Sequence, residues 1–151
     1  VLFRSVHLIG RDRLARPGLF LSGPVSIFMK VALQQLYLHL GSEAEVRRIM
    51  RIFYRRMAED AMLGFFFSGR DTDAVADRQA EFLLRAMGAR ATYTGNAPAQ
   101  AHGALPPILP GHFDRRAVLL KQTLESEKLP APHIQSWLEF EAAFRDAVVS
   151  R

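Results

Sequence analysis

The chain has no cysteine and only one tryptophan among its 151 residues. The first absence excludes a disulfide scaffold, a thiolate nucleophile, a zinc–thiolate site and an iron–sulfur cluster. It fits a reducing compartment, and a cytoplasmic location is expected. No uninterrupted apolar run reaches the roughly 18 residues that a bilayer-spanning helix needs, so no membrane span is expected. No stretch alternates convincingly as a strand, and there is neither an internal repeat nor a low-complexity tract. Acidic residues are fewer than basic ones, 15 against 20. Most of the resulting charge of +5 is local, because Arg4, Arg11, Arg13 and Arg16 precede Met29 against the single Asp12. The remainder is close to balanced, with no recognition motif and no basic footprint, so nucleic acid is not an expected partner.

Hydrophobic residues make up 49% of the chain and charged residues 23%, which is the balance of one folded domain with a real core. Residues 1–28 differ from the rest. Pro17, Gly18, Gly23 and Pro24 interrupt any helix there. Gly23 and Pro24 also cut the apolar run 18–29, and no clean cleavage site follows, which weakens a signal-peptide reading. The simpler expectation is a poorly structured leader over 1–28, with Met29 as the start of the native chain, and one domain over 29–151.

That domain reads as all-α. A first helix is expected over 29–40, ended by Gly41. Ser42 caps a second, with Glu43 and Glu45 in its first turn. The apolar stripe of this helix is Val46, Ile49, Met50, Phe53 and Met57, with Tyr54 beside it. Arg47, Arg48, Arg51, Arg55 and Arg56 take the other faces, as a solvated side would. Residues 60–69 form a corner whose three consecutive phenylalanines cannot share one face. A third helix opens at Asp71-Thr72-Asp73 and stops before Gly88, with the inward stripe Val75, Gln79, Phe82, Leu83 and Ala86. A fourth is expected from Phe113 to about Lys128, inward at Phe113, Ala117, Leu120 and Leu124. After the break Leu129-Pro130-Ala131-Pro132, a last helix covers about 133–149, inward at Ile134, Trp137, Leu138, Phe140, Glu141, Phe144 and Val148.

Three polar residues stand out from this plan. Gln79 sits inside an apolar stripe, and a buried amide without a partner costs about 1–3 kcal/mol. Tyr54 edges another stripe. His102 lies on a turn set by Gly95, Asn96 and Pro98 and lined by Ala97, Ala99 and Ala101. Gly103, Pro106, Pro107, Pro110 and Gly111 follow it, so any helix carrying it is short. A flat apolar cofactor with a central metal would account for all three residues. The histidine would ligate one side, and the two polar groups would meet a ligand on the other.

In this order and at these spacings, several pieces resemble the truncated haemoglobins, the two-over-two globins. They are Phe53-Tyr54, Phe66-Phe67-Ser68-Gly69, Gln79-Ala80-Glu81-Phe82-Leu83, Tyr93-Thr94-Gly95, His102 and His112-Phe113-Asp114. The resemblance spans about 30–150 and implies a truncated globin fold, a two-over-two helical sandwich around haem. It implies haem b as cofactor, with His102 as the proximal ligand to iron. Tyr54 becomes the distal donor and Gln79 its support. Phe67 packs on the haem face, Phe53 and Phe82 line the pocket, Val75 faces the ligand without polar help, and Arg78 pairs with a propionate. His39, His112 and His133 fall near helix ends and read as ordinary partly exposed rings.

The departures from the family pattern are specific. Gly88-Ala89 replaces a frequent pair of glycines, and the loop between His102 and Phe113 is one residue longer. Counting from Phe113, Arg116 falls where an apolar or tryptophan side chain usually meets the distal pocket. A buried unpaired arginine is costly, so either it turns outward or the register shifts and Ala117 lies inside. Trp137 belongs to the last helix, which favours a group-one-like type.

The function implied is binding of oxygen and other diatomics, nitric oxide and carbon monoxide among them. Oxidation of nitric oxide with the help of a reductase is the candidate reaction. A monomer or weak dimer is expected. Arg116 near the ligand would instead favour a peroxidase-like or electron-transfer protein. A haem-free interaction module with this fold is the third reading, although such a module has no need for Tyr54, Phe67, Gln79 and His102 together.

Overall fold

A computed structural model of the protein describes residues 24–89 and 106–149. Every regular element among them is helical: α1 (Pro24–Leu40), α2 (Glu43–Glu59), a 3-10 turn (Gly64–Phe67), α3 (Thr72–Ala86), α4 (Pro110–Ser126), α5 (Ala131–Ala142) and α6 (Arg145–Val148). The all-α, two-over-two arrangement is as expected. α2 pairs most extensively with α3 and also packs on α4, α4 packs on α5, and α1 closes the assembly against α5. Residues 1–23, which hold most of the expected leader, lie outside the described residues, as does the 93–102 turn with His102.

Local chemistry sets the helix ends. The Ser42 hydroxyl accepts from the Glu45 N–H at 3.2 Å, and the Asp71 carboxylate accepts from the Ala74 N–H at 3.1 Å. Gly88 ends α3 in the left-handed region, with φ of 77°. The following Ala89 N–H reaches back to the Leu84 carbonyl at 2.9 Å, a closure that needs the glycine between them. Three expected boundaries move, and each move has a cause. α1 starts at Pro24, α4 at Pro110, and α5 has Pro132 in its first turn. Proline is harmless in a first turn, where its missing N–H has no helical partner, so these prolines start helices rather than exclude them. The last expected helix is interrupted at Ala143–Phe144, which separates α5 from α6.

The α2 stripe is buried as its spacing predicts: Val46, Ile49, Met50, Phe53, Tyr54 and Met57 are all in the core. Its arginines do more than face solvent. Arg47 meets Glu81 (3.7 Å), Arg51 meets Asp77 (2.6 Å) and Arg55 meets Asp73 (2.5 Å). Steps of four up one helix match steps of four down the other, which is an antiparallel ladder between α2 and α3.

The corner after α2 is fixed by Asp60. One carboxylate oxygen accepts from the Met62 and Leu63 N–H groups at 3.0 and 3.2 Å, and the other from Arg115 Nε and Nη2 at 2.9 and 2.7 Å. Gly64 follows the end of α2 so closely that a Cβ there would stand 2.7 Å from the Ala58 carbonyl oxygen. Of the three phenylalanines, Phe66 and Phe67 turn into the core. Phe65 stays half exposed, stacked on Phe66 at 4.1 Å.

Asp60 yields a pH prediction. Hydrogen bonding from Arg115 holds its carboxyl below the usual range, against an opposing effect of burial. A depressed carboxyl contributes stability that is present above its unfolded pKa, about 4, and is lost as pH falls through the folded value. Asp60→Asn should therefore lower unfolding stability at pH 7 by about 1–3 kcal/mol. In urea titrations, the gap between wild type and variant should close as pH falls from 6 to 3.

Candidate functional site

α2 delivers Phe53 and Tyr54 to one place. Both are fully buried, with rings 5.4 Å apart and near perpendicular. Phe67 leaves the corner to meet the Tyr54 ring edge-on at 5.9 Å. Three residues assigned to the pocket from sequence therefore come together. Burial pushes the Tyr54 hydroxyl up to about 12, so it keeps its proton, and its capacity to donate, at any physiological pH.

Arg116 enters the same region from α4. It is only 6% exposed, while Ala117 is half-buried. Neither expected resolution holds: the arginine does not turn outward, and no register shift puts Ala117 in its place. Arg116 is tolerated inside because Nη1 donates to Glu141 Oε2 at 2.8 Å, and Glu141 on α5 is itself only 7% exposed. The guanidinium also lies over the Phe53 ring, 4.9 Å from its centre. It interacts electrostatically with the Tyr54 hydroxyl. Burial disfavours its charge, but Glu141 and Tyr54 outweigh that, and its pKa is raised. Glu141 is the member of this site that sequence reasoning missed. The available signal was an acid inside the apolar face of the last helix, matching an arginine where an apolar residue was expected.

α3 contributes two adjoining faces. Ala76, Ala80, Leu83, Leu84 and Met87 are fully buried. Beside them run Val75, Gln79, Phe82 and Ala86 at helical spacing. Gln79 is buried, at 5% exposure, but Val75, Phe82 and Ala86 are only half-buried. Phe82 packs against Phe140 and Phe144, with ring centres 5.9 and 5.3 Å away. No hydrogen bond joins the Gln79 amide to another group among the described residues. Arg78 is exposed and forms no ion pair among them.

This geometry can be set beside known proteins. A family model described as bacterial-like globin matches residues 35–150. The chain belongs to the bacterial-like globin family. It is similar to the group 1 truncated hemoglobin GlbN of Mycolicibacterium paratuberculosis, with 27% identity over 111 residues, 74% of this chain and 81% of that one. It is also similar to the group 1 truncated hemoglobin of Tetrahymena pyriformis, with 28% identity over 92 residues, 61% of this chain and 75% of that one. Haem-based binding of diatomic gases is accordingly the general activity of this globin, and haem its cofactor.

The residues present fit that group. The outer face of α3 is apolar and incompletely covered, as a bed for a flat apolar ring should be. The one amide on it, Gln79, has no partner among the described residues and is available to a ligand or to a group beside one. Tyr54 supplies a second buried polar group with a proton to donate.

The ion pair gives the prediction for this site. Arg116→Leu leaves Glu141 buried without a partner and should cost about 3–5 kcal/mol of unfolding free energy. Replacing both by leucine should restore most of that loss, and a double-mutant cycle of urea unfolding free energies measures it. A single variant as stable as the double one would show that the pair is not buried in solution.

Proposed function

We propose that this globin binds oxygen and related diatomics at the iron of haem b. His102 ligates from the proximal side, and Tyr54 and Gln79 act on the distal side. The supporting observation is the convergence of Phe53, Tyr54 and Phe67 next to a half-covered apolar face of α3 that carries Gln79, an amide with no partner among the described residues. Bound haem supplies the iron centre that takes up the ligand and changes oxidation state. The protein supplies orientation and polarity.

In this reading the Tyr54 O–H donates to an acceptor atom of the ligand. Its burial excludes water as a competing partner and keeps the phenol protonated. Gln79, one helix away, holds the distal polar network. Phe67 and Phe53 wall it, Val75 and Phe82 line the α3 side, and exposed Arg78 stands where a propionate can reach it. Hydrogen bonding to a polarised ligand stabilises it by about 1–3 kcal/mol, which slows release by roughly tenfold or more. Slow release suits reaction or sensing better than transport. The reaction we favour is oxidation of nitric oxide to nitrate by molecular oxygen, with a cytoplasmic reductase restoring ferrous iron. A peroxidase-like role is the second reading, favoured by the guanidinium of Arg116 beside Tyr54, since a cation there assists cleavage of a peroxide. No helix among the described residues is long and apolar enough to cross a membrane.

Two measurements test the proposal. The protein purified with haemin should show a Soret band that shifts with carbon monoxide and is lost or strongly altered in His102→Ala. Stopped-flow oxygen release should then be about tenfold faster in Tyr54→Phe than in wild type. A well-folded protein that takes up no haemin would rule out the reading.

A further inference from the structure

His39 and His133 meet away from the haem pocket. His39 stands in the last turn of α1, and His133 in the first turn of α5. Just beyond His39, the Gly41 N–H returns to the Tyr37 carbonyl at 2.8 Å and closes α1. The His133 N–H reaches the Pro130 carbonyl at 2.9 Å, which holds the start of α5. With both backbones held, the two side chains come together where α1 packs on α5. Their ring centres are 4.7 Å apart, with the planes tilted by 35°.

Neither ring is engaged by a hydrogen bond or an ion pair among the described residues. Each therefore has a nitrogen lone pair to offer when neutral. Burial, and then the neighbouring His39, push the His133 ring below its ordinary value, toward the neutral form that a metal ion needs. An imidazole nitrogen holds Zn²⁺ at about 2.0–2.1 Å, which puts the ring centre about 3.2 Å from the ion. Two rings at right angles about one ion then have centres about 4.5 Å apart, and at the tetrahedral angle about 5.2 Å. The observed 4.7 Å lies between these two arrangements. His39 is exposed and His133 half-buried, so an ion arrives from solvent and the rings have room to turn toward it. No third histidine, cysteine or carboxylate joins them among the described residues, so water completes the coordination. Imidazole suits zinc-class ions, whereas Mg²⁺ and Ca²⁺ prefer oxygen ligands.

We propose that His39 and His133 form a surface site for a zinc-class divalent cation (Zn²⁺, Ni²⁺ or Cu²⁺) that clamps α1 to α5. The two ligands are far apart in the chain and sit on different helices. An ion bound by both therefore favours the folded protein over the unfolded one. The clamp is independent of the haem reading, because neither histidine is assigned to the haem pocket.

The test uses the full chain loaded with haemin and without a histidine tag. Urea unfolding is followed by far-UV circular dichroism in Zn²⁺, in Mg²⁺ and in EDTA, for wild type, His39→Gln and His133→Gln. Each tenfold excess of Zn²⁺ over its Kd should raise the folded-to-unfolded ratio of wild type about tenfold. Mg²⁺ should change nothing, and either substitution should abolish the gain. Isothermal titration should count one more Zn²⁺ per chain in wild type than in either variant. No gain in wild type, or a gain that survives in either variant, overturns the clamp. The Soret band reads the haem proposal separately: its absence from wild type overturns that proposal alone.

Discussion

Arg47, Arg51 and Arg55 descend α2 in steps of four and meet Glu81, Asp77 and Asp73 in the reverse order on α3. That register is the constraint on which the rest of the site depends. Exposed ion pairs of this kind add little stability, and a slip by one turn would still set two of the three arginines opposite acids, so it is the burial of the α2 apolar stripe that holds the register. With the register fixed, Phe53 and Tyr54 come level with Val75, at the start of the half-covered face of α3. The corner at Asp60 and Gly64 then has one length to work with, and it brings Phe67 onto Tyr54. The apolar stripe contributes the energy, and the ladder ties the solvent side of the two helices together.

The same division explains what could be read from the chain beforehand. The α2 core was legible because its spacing is local: six residues at steps of three and four bury together wherever the helix docks. The Ser42 and Asp71 caps and the Gly88 stop were legible for the same reason, since each acts within four residues. Gln79 was legible as a buried amide from its neighbours alone. The α2 arginines look the same in sequence whether they face water or another helix, so the ladder was not legible. Arg116 was recognised as out of place, yet its partner lies 25 residues away on another helix, and nothing local marks Glu141 as facing it. The prolines at 24, 110 and 132 read as breaks in the sequence because proline excludes a helix interior. Their tolerance in a first turn depends on where the helix begins, which is the quantity being sought. His102 lies outside the described residues and owes its assignment to its sequence context.

The buried ion pair sits awkwardly in a stability account. Desolvating two charges costs about as much as such pairs return, and two leucines in their place would recover most of the stability that a broken pair loses. Beyond Glu141, the guanidinium has the Tyr54 hydroxyl and the Phe53 ring as its neighbours. A fixed cation beside a protonated phenol makes the pocket strongly polar at one end and apolar elsewhere.

Trp137 lies fully buried on α5, one helical turn before Glu141, and its indole N–H has no hydrogen-bond partner among the described residues. As the chain's sole tryptophan it gives the protein a single intrinsic fluorophore, seated in the middle of the core. Its emission belongs to one place and one environment, blue-shifted while the core is dry. A haem within the same small fold would drain that emission by energy transfer. The molecule thus carries its own optical gauge of cofactor loading, and it needs no label to be read.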